Sequence, residues 1–167
     1  MSDKLIKPAL EPDPGWGEFT LPRFADGNTF VTGDADADRL GVEYYIRETD
    51  QAVVGKVWFG PKTQGPPGHA HGGSVAAVLD EAMGAAVWLA GHAVLAGTLT
   101  CRFRKPIPLG TVATLAAWKE SKDGRKVFAR STLHDAGGLL LSEGEGIYIE
   151  IPPDRFREFV DKMRESG

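Results

Sequence analysis

The strongest pattern in the chain is helical. Between Gly72 and Ala90, apolar side chains fall at positions 75, 78, 79, 82, 86, 89 and 90, the spacing of a 3.6-residue turn. Gly91 supplies a stop. The segment is apolar nearly all round, which predicts a helix enclosed by the domain rather than lying on its surface. Residues 40–49 and 51–59 are rich in Val, Ile, Tyr and Trp and break at Glu48-Thr-Asp50, so they read as a hairpin. Four further strand-like runs follow the helix, at 94–105, 111–121, 126–135 and 139–151. Pro106-Ile-Pro108 with Gly110, the tight-turn pair Asp123-Gly124, and Asp135-Ala-Gly-Gly138 separate them. We read these four as a meander. Residues 154–165 place Phe156, Phe159, Val160 and Met163 on one face of a short closing helix. No series of crossover helices alternates with the strands in the way that would make the sheet parallel. The order predicts an α+β fold in which an antiparallel sheet wraps around a long central helix.

Composition narrows the class without changing that picture. A chain of 167 residues with 42% hydrophobic and 25% charged residues is long enough for one domain with a real core. We divide it into an irregular N-terminal extension (1–39), a main domain (40–151) and the C-terminal helix (152–167). Pro8, Pro12, Pro14 and Pro22 interrupt the extension, and Trp16, Phe19, Phe24 and Phe30 are expected to pack onto the domain. The net charge of −4 gives no basic field for nucleic acid. A single cysteine, Cys101, excludes an internal disulfide and fits a reducing, cytoplasmic setting. The first eight residues lack the apolar run of a signal peptide. Residues 82–99 hold no Asp, Glu, Lys or Arg, but Gly91-His92 interrupts them and no membrane span is expected. Asp34-Ala-Asp-Ala-Asp38 has the opening of a calcium loop. Arg39 and Tyr45 stand where such a loop needs its glycine and its closing glutamate, so it reads as a solvated turn.

The candidate chemistry lies at the start of the long helix. Gly65-Pro-Pro-Gly-His-Ala-His-Gly-Gly73 leads into it, and Asp80 and Glu81 are the only charged side chains between Gly72 and Gly91. Charge on so apolar a helix is costly unless something offsets it. A helix start also presents unpaired N–H groups that can hold developing negative charge. Together these outline an acyl-transfer site. On the helical wheel Asp80 stands away from the Val75, Val78, Leu79, Ala82 and Ala86 stripe, beside Ala76, Gly84 and Val87, a face with room for a ligand or a second chain. Glu81 is rotated by about 100° and cannot aim at the same point; it reads as a polar-face or interface residue.

On His71-Gly72-Gly73, Asp80 nine residues after that histidine, Gly84 and Arg104-Lys-Pro-Ile-Pro108, the sequence resembles the hotdog-fold acyl-CoA thioesterases, in their PaaI-like and THEM4-like branch. The resemblance spans roughly residues 40–151. It implies a hotdog fold, hydrolysis of an acyl-coenzyme A thioester without metal or other cofactor, and sites built where two chains pair, in a homodimer or a dimer of dimers. It implies Asp80 as the catalytic acid, either activating water or attacking the carbonyl. It assigns the Gly72 backbone N–H to the thioester oxygen, Gly73 to the substrate-binding turn, His71 to orienting the thioester or the loop, and the Thr98 hydroxyl to positioning water. Two positions depart from it. Gly65 stands where some relatives carry Asn or Gln, with Gln64 one residue away, and Ala96 stands where the THEM4-like proteins have threonine. Arg104, Lys105, Arg125 and Lys126 are candidates for the coenzyme phosphates; the plainer reading is solvated charge at strand ends and a turn.

Other chemistries fit less well. His69 and His71 form His-x-His, but no third metal ligand is evident nearby. His92 and His134 have no supporting context. Gly72-Gly-Ser-Val-Ala76 misses the last glycine of a nucleophile elbow, and the sheet is wrong for a serine hydrolase. The Asp and His constellation of a hotdog hydratase is absent. A hotdog module that binds acyl-CoA or a protein partner without turnover remains the alternative to an enzyme.

Overall fold

The computed structural model describes residues 5–19, 29–32 and 38–165. Seven strands and two α-helices are present among them: β1 (Trp16–Glu18), β2 (Leu40–Arg47), β3 (Val53–Phe59), α1 (Gly72–Leu89), β4 (Val94–Phe103), β5 (Val112–Asp123), β6 (Lys126–His134), β7 (Leu140–Glu150) and α2 (Pro153–Glu165). Pro22 and Phe24, residues 34–37 of the Asp-Ala repeat, and the side chains of Phe159 and Met163 lie outside the described residues.

All neighbouring strands are antiparallel and form one sheet in the order β1-β2-β3-β5-β6-β7-β4. The expected hotdog arrangement is present, with the sheet curled around α1. The β2–β3 hairpin forms as expected. Its turn is closed by the Asp50 carboxylate, which accepts from the Ala52 N–H and from two guanidinium nitrogens of Arg47. That bond to Arg47 is the first cause holding the Asp50 carboxyl down at about 2.

Two expectations are corrected. The four strands after α1 are not a simple meander: β5, β6 and β7 are, but β4 pairs with β7 at the far edge. The place beside β5 that a meander would give β4 is taken by β3. The connection through Pro106–Gly110 makes the crossing under the start of α1, where Ile107 O accepts from Ala70 N–H, the Leu109 N–H reaches Gly68 O, and the Gly110 N–H reaches Phe59 O. The N-terminal extension is also not wholly irregular. Trp16–Glu18 adds a strand to β2, the Trp16 ring lies 5.8 Å from Tyr45, and Lys56 Nζ sits 5.0 Å over the Trp16 ring.

The core sits between α1 and the concave face of the sheet. Val75, Val78, Leu79, Ala82 and Ala86 are buried, as the stripe predicts, and Met83 is buried beside them. Val87, which the wheel assigned to the open face beside Asp80, is fully buried as well. Alternate residues of β5, β6 and β7 face the helix: Ala113, Leu115 and Ala117; Val127, Ala129 and Leu133; and Gly144, Gly146 and Tyr148. The two glycines of β7 let α1 come close, since a Cβ on Gly144 would lie 3.2 Å from Met83 and 3.4 Å from Leu79. α2 docks on the end of α1 through Phe156, whose ring centroid is 5.6 Å from that of Trp88.

Leu79 lies at the centre of this contact and is completely enclosed. Leu79→Ala is expected to cost about 2–5 kcal/mol, since the close-packed sheet cannot collapse into the void. Urea unfolding followed by circular dichroism measures it.

Candidate functional site

The loop before α1 is held in a fixed shape that delivers the helix start to a cleft. A 3₁₀ turn at Pro61–Thr63 precedes it. Gln64 and Ala70 then form a bridge, as do His69 and Pro108. The Gln64 side-chain oxygen accepts from the Gly68 N–H, and Gly68 turns the chain at φ 74°. Gln64 is thus spent on the loop. Gly65 has no room for a side chain, because a Cβ there would lie 2.8 Å from the His71 Cα. The position is therefore closed to an Asn or Gln side chain, because His71 occupies the space.

His71 is the N-cap of α1. Its Nδ1 accepts from the Gly73 N–H at 2.8 Å, which puts its own proton on Nε2. The His71 carbonyl accepts from the Ser74 N–H, the Ser74 hydroxyl and the Val75 N–H. Among the described residues the Gly72 N–H has no acceptor, which leaves it the open donor of this helix start. The Phe103 ring lies alongside, 3.4 Å from where a Gly72 Cβ would stand. A cleft of about 380 Å³ opens here between Gly72 and Val75 on one side and Phe103, Arg104, Lys105 and Ile107 on the other. His69 also lines it, with Nδ1 2.9 Å from the Pro67 carbonyl.

Asp80 and Glu81 stand further along α1, each held by a tyrosine of the sheet. The Tyr148 hydroxyl, from β7, lies 2.7 Å from Asp80 Oδ1 and 2.9 Å from the Asp80 carbonyl oxygen. Burial first, and then the neighbouring Asp80 charge, raise the Tyr148 phenol far above its ordinary value. The Tyr44 hydroxyl, from β2, donates to Glu81 Oε1 at 2.9 Å. Burial is the main cause raising the Glu81 carboxyl, the Tyr44 bond opposes it, and Asp80 adds to the rise. Cys101 of β4 is close enough to Asp80 for that charge to add to the upward push of burial on its thiol. Neither tyrosine was singled out in the sequence. A tyrosine in a strand is ordinary, and the only signal was the need for two acids on an apolar helix to find donors.

The remaining candidates separate. Gly144, Gly146 and Tyr148 face the helix, and Cys101 and Leu99 are paired with Gly144 and Gly146. Thr98 is paired with Ile147, so it lies on the opposite, convex face and does not meet Asp80 within the chain. The register shift between Ala96 and Thr98 produces this, with Gly97 as the extra residue. Ala96, opposite Tyr148, is the helix-facing position. Arg104 is paired with Glu143 while also lining the cleft, and Lys105 lines it beside Arg104. Arg125 donates to the Glu150 carbonyl, and Lys126 is exposed in the β5–β6 turn region. Lys126 is in register with Ile149, which pairs with Leu95 at the start of β4. The two basic pairs therefore lie at opposite ends of a strand about 30 Å long.

Gly72 and Asp80 are also apart. Eight residues of one helix separate them, a rise of about 12 Å. Along the partly open face of α1 between them lie only small side chains, Gly73, Ala76 and Ala77, with Gly84 beyond. Beside it β4 exposes Leu99 and Phe103 and, among the described residues, has no strand on its outer side.

Comparison with known proteins supplies the context. Residues 67–142 match the thioesterase superfamily model. Acyl-coenzyme A thioesterase THEM4 of Xenopus laevis is 35% identical over 127 residues, which is 73% of this chain and 56% of that protein. A crystal structure of a thioesterase superfamily protein superposes with a TM-score of 0.60 at 34% identity, over 65% of this chain and 56% of that one. A Bacillus halodurans protein crystallised with CoA gives a TM-score of 0.54 at 23% identity, over 59% of this chain and 66% of that one, a likeness of fold. The chain spans about half the length of the curated relatives it matches.

The raised Glu81 carboxyl carries a stability consequence. A carboxyl whose folded value lies above its unfolded value favours the fold only while protonated, so stability is lost as pH rises through the folded value. Glu81→Gln keeps an acceptor for Tyr44 and removes the charge. It is expected to raise the thermal midpoint at pH 7, with the gain vanishing as pH falls below the ordinary glutamate value. Differential scanning calorimetry at pH 7 and pH 4 checks it; a midpoint lowered at both would reverse the reading.

Proposed function

As the chain belongs to the thioesterase superfamily, we propose that it hydrolyses an acyl-coenzyme A thioester to the free acid and coenzyme A. Asp80 acts on the carbonyl carbon, either by activating a water or as nucleophile. The Gly72 N–H receives the developing oxyanion. The observation that carries this reading is the pairing of an unpartnered helix-start N–H with an ionisable acid on the same open helix face. A backbone donor fixed before the reaction stabilises the oxyanion without reorganisation. Water adds to the carbonyl, the C–S bond breaks, and the thiolate leaves with a proton.

The carbon under attack and its oxygen are neighbours in one bond, whereas Asp80 and Gly72 of one chain are about 12 Å apart. We propose a homodimer in which Asp80 of one copy works with Gly72 of the other. The unpaired edge of β4 and its exposed Leu95, Leu99 and Phe103 support pairing at that edge. Antiparallel pairing there would also bring the start of one β4 beside the end of the other. Arg125 and Lys126 of one copy would then share a substrate with Arg104 and Lys105 of its partner, which explains how basic pairs so far apart in one chain can serve one coenzyme. His71 shapes the helix start rather than touching substrate, Gly73 keeps that start free of side chains, and Thr98 takes no part within its own chain. No helix among the described residues is long and apolar enough to cross a membrane. The lone half-buried Cys101 supports a cytoplasmic setting.

A panel of acyl-CoAs with release of free thiol tests the activity. Asp80→Asn is expected to fold and to lose about 10²–10⁴ in turnover, the usual worth of one positioned acid or base. A folded Asp80→Asn protein that turns over at the wild-type rate would remove Asp80 from the chemistry. Binding of acyl-CoA with no thiol released by any wild-type preparation would favour the non-catalytic module.

A further inference from the structure

We propose that Tyr148 is the positioning residue for Asp80, supplying from β7 the hydroxyl that fixes which carboxylate oxygen reacts. The inference rests on the reading of Asp80 as the reacting acid. Its starting point is geometry. One hydroxyl lies within hydrogen-bond distance of both Asp80 Oδ1 and the Asp80 backbone oxygen, at 2.7 and 2.9 Å. A donor shared between a carboxylate oxygen and its own carbonyl restricts the side chain to orientations that keep both oxygens within reach. Oδ1 is thereby occupied. Among the described residues Oδ2 has no partner, so it is the oxygen left to meet water or carbonyl carbon.

The surroundings are built for this contact. The Tyr148 ring is only 3% exposed, packed between the helix and the sheet. Gly146, two residues earlier on the same face, leaves the space the ring leans across, and any side chain there would run into it. The phenol stays protonated throughout the working range of the protein, because burial and the Asp80 charge both resist its ionisation. It is therefore held as a donor toward the carboxylate. The adjacent strand β4 brings no hydroxyl to the helix-facing side opposite Tyr148. Ala96 faces Tyr148 in register, and Thr98 lies on the other face.

The groups that face Asp80 are Tyr148 from β7, Cys101 from β4, and, through charge, Glu81 on α1 itself and Tyr44 from β2. Tyr148 is the one whose hydrogen bond reaches the carboxylate. Donation favours the charged carboxylate, so its loss makes that form harder to reach. Tyr148→Phe keeps the ring and removes the hydroxyl. It is expected to lower kcat about 10- to 100-fold with KM within about twofold, because a loosened acid weakens the reacting geometry rather than substrate binding. The acid limb of kcat against pH should move to higher pH. A purely structural role would lower the thermal midpoint and move neither the limb nor the ratio of kcat to KM losses. Asp80→Asn, assayed beside it, separates the two claims. If Asp80→Asn is inactive while Tyr148→Phe has wild-type kcat and an unmoved limb, the positioning role is overturned and the catalytic acid stands. If folded Asp80→Asn is fully active, both fall. Should Tyr148→Phe prove unstable, 3-fluorotyrosine at position 148 keeps ring and hydroxyl and strengthens the donor. The limb should then move to lower pH, and an unmoved limb overturns the proposal.

Discussion

An α-helix rises about 1.5 Å per residue, and the two groups proposed to act on a thioester carbonyl stand eight residues apart on the same helix. That distance cannot be closed by side-chain motion, because one partner is a backbone N–H and the other a short carboxylate held by Tyr148. The other features of the site follow from this constraint. The helix face between the two groups carries Gly73, Ala76 and Ala77, side chains too small to fill the gap themselves. The strand beside that face lies at the edge of the sheet and exposes Leu99 and Phe103. In the proposed homodimer a second copy, running the opposite way, would supply the missing half of each site.

The sheet allows this by enclosing α1 on one side only. Leu79, Met83, Ala82 and Val87 are fully buried against β5, β6 and β7, and the glycines at 144 and 146 let the helix settle close to the strands. The acids at 80 and 81 leave the helix at the two margins of this contact. Each is received by a tyrosine hydroxyl from a different strand, Asp80 by β7 and Glu81 by β2. The cost of placing charge on an apolar helix is offset by hydrogen bonds that also fix its rotation about its own axis.

Much of this was legible in the sequence because it is local. The 3.6-residue period named α1 and its buried stripe, the Asp-Gly and Gly-Gly turns separated β5, β6 and β7, and the loop from Gly65 to Gly73 announced the helix start. The failures are all non-local. The place of β4 depends on where the chain goes after Pro106, and strand-like composition says nothing about which neighbour a strand chooses. The face of Thr98 depends on one extra residue, Gly97, since a single bulge exchanges the two sides of a strand. Val87 is fully buried, and a helical wheel of α1 alone carries no information on what packs against its last turns. Tyr148 and Tyr44 lie 68 and 37 residues from the acids they hold, beyond the reach of any sequence pattern. The role of His71 was half visible: it precedes the helix, but only the Gly73 N–H bond to its Nδ1 identifies it as the cap.

The proposed division of each site between two copies is tested most directly by complementation. Asp80→Asn removes the acid. Gly72→Pro removes the N–H at the first helical position, where proline is tolerated. Each variant alone should be nearly inactive. Co-expressed in equal amounts, half of the dimers are mixed and each mixed dimer holds one intact site of two, so about a quarter of the wild-type thiol release should return. Mixed dimers that form and remain as inactive as either parent would contradict a site shared between chains.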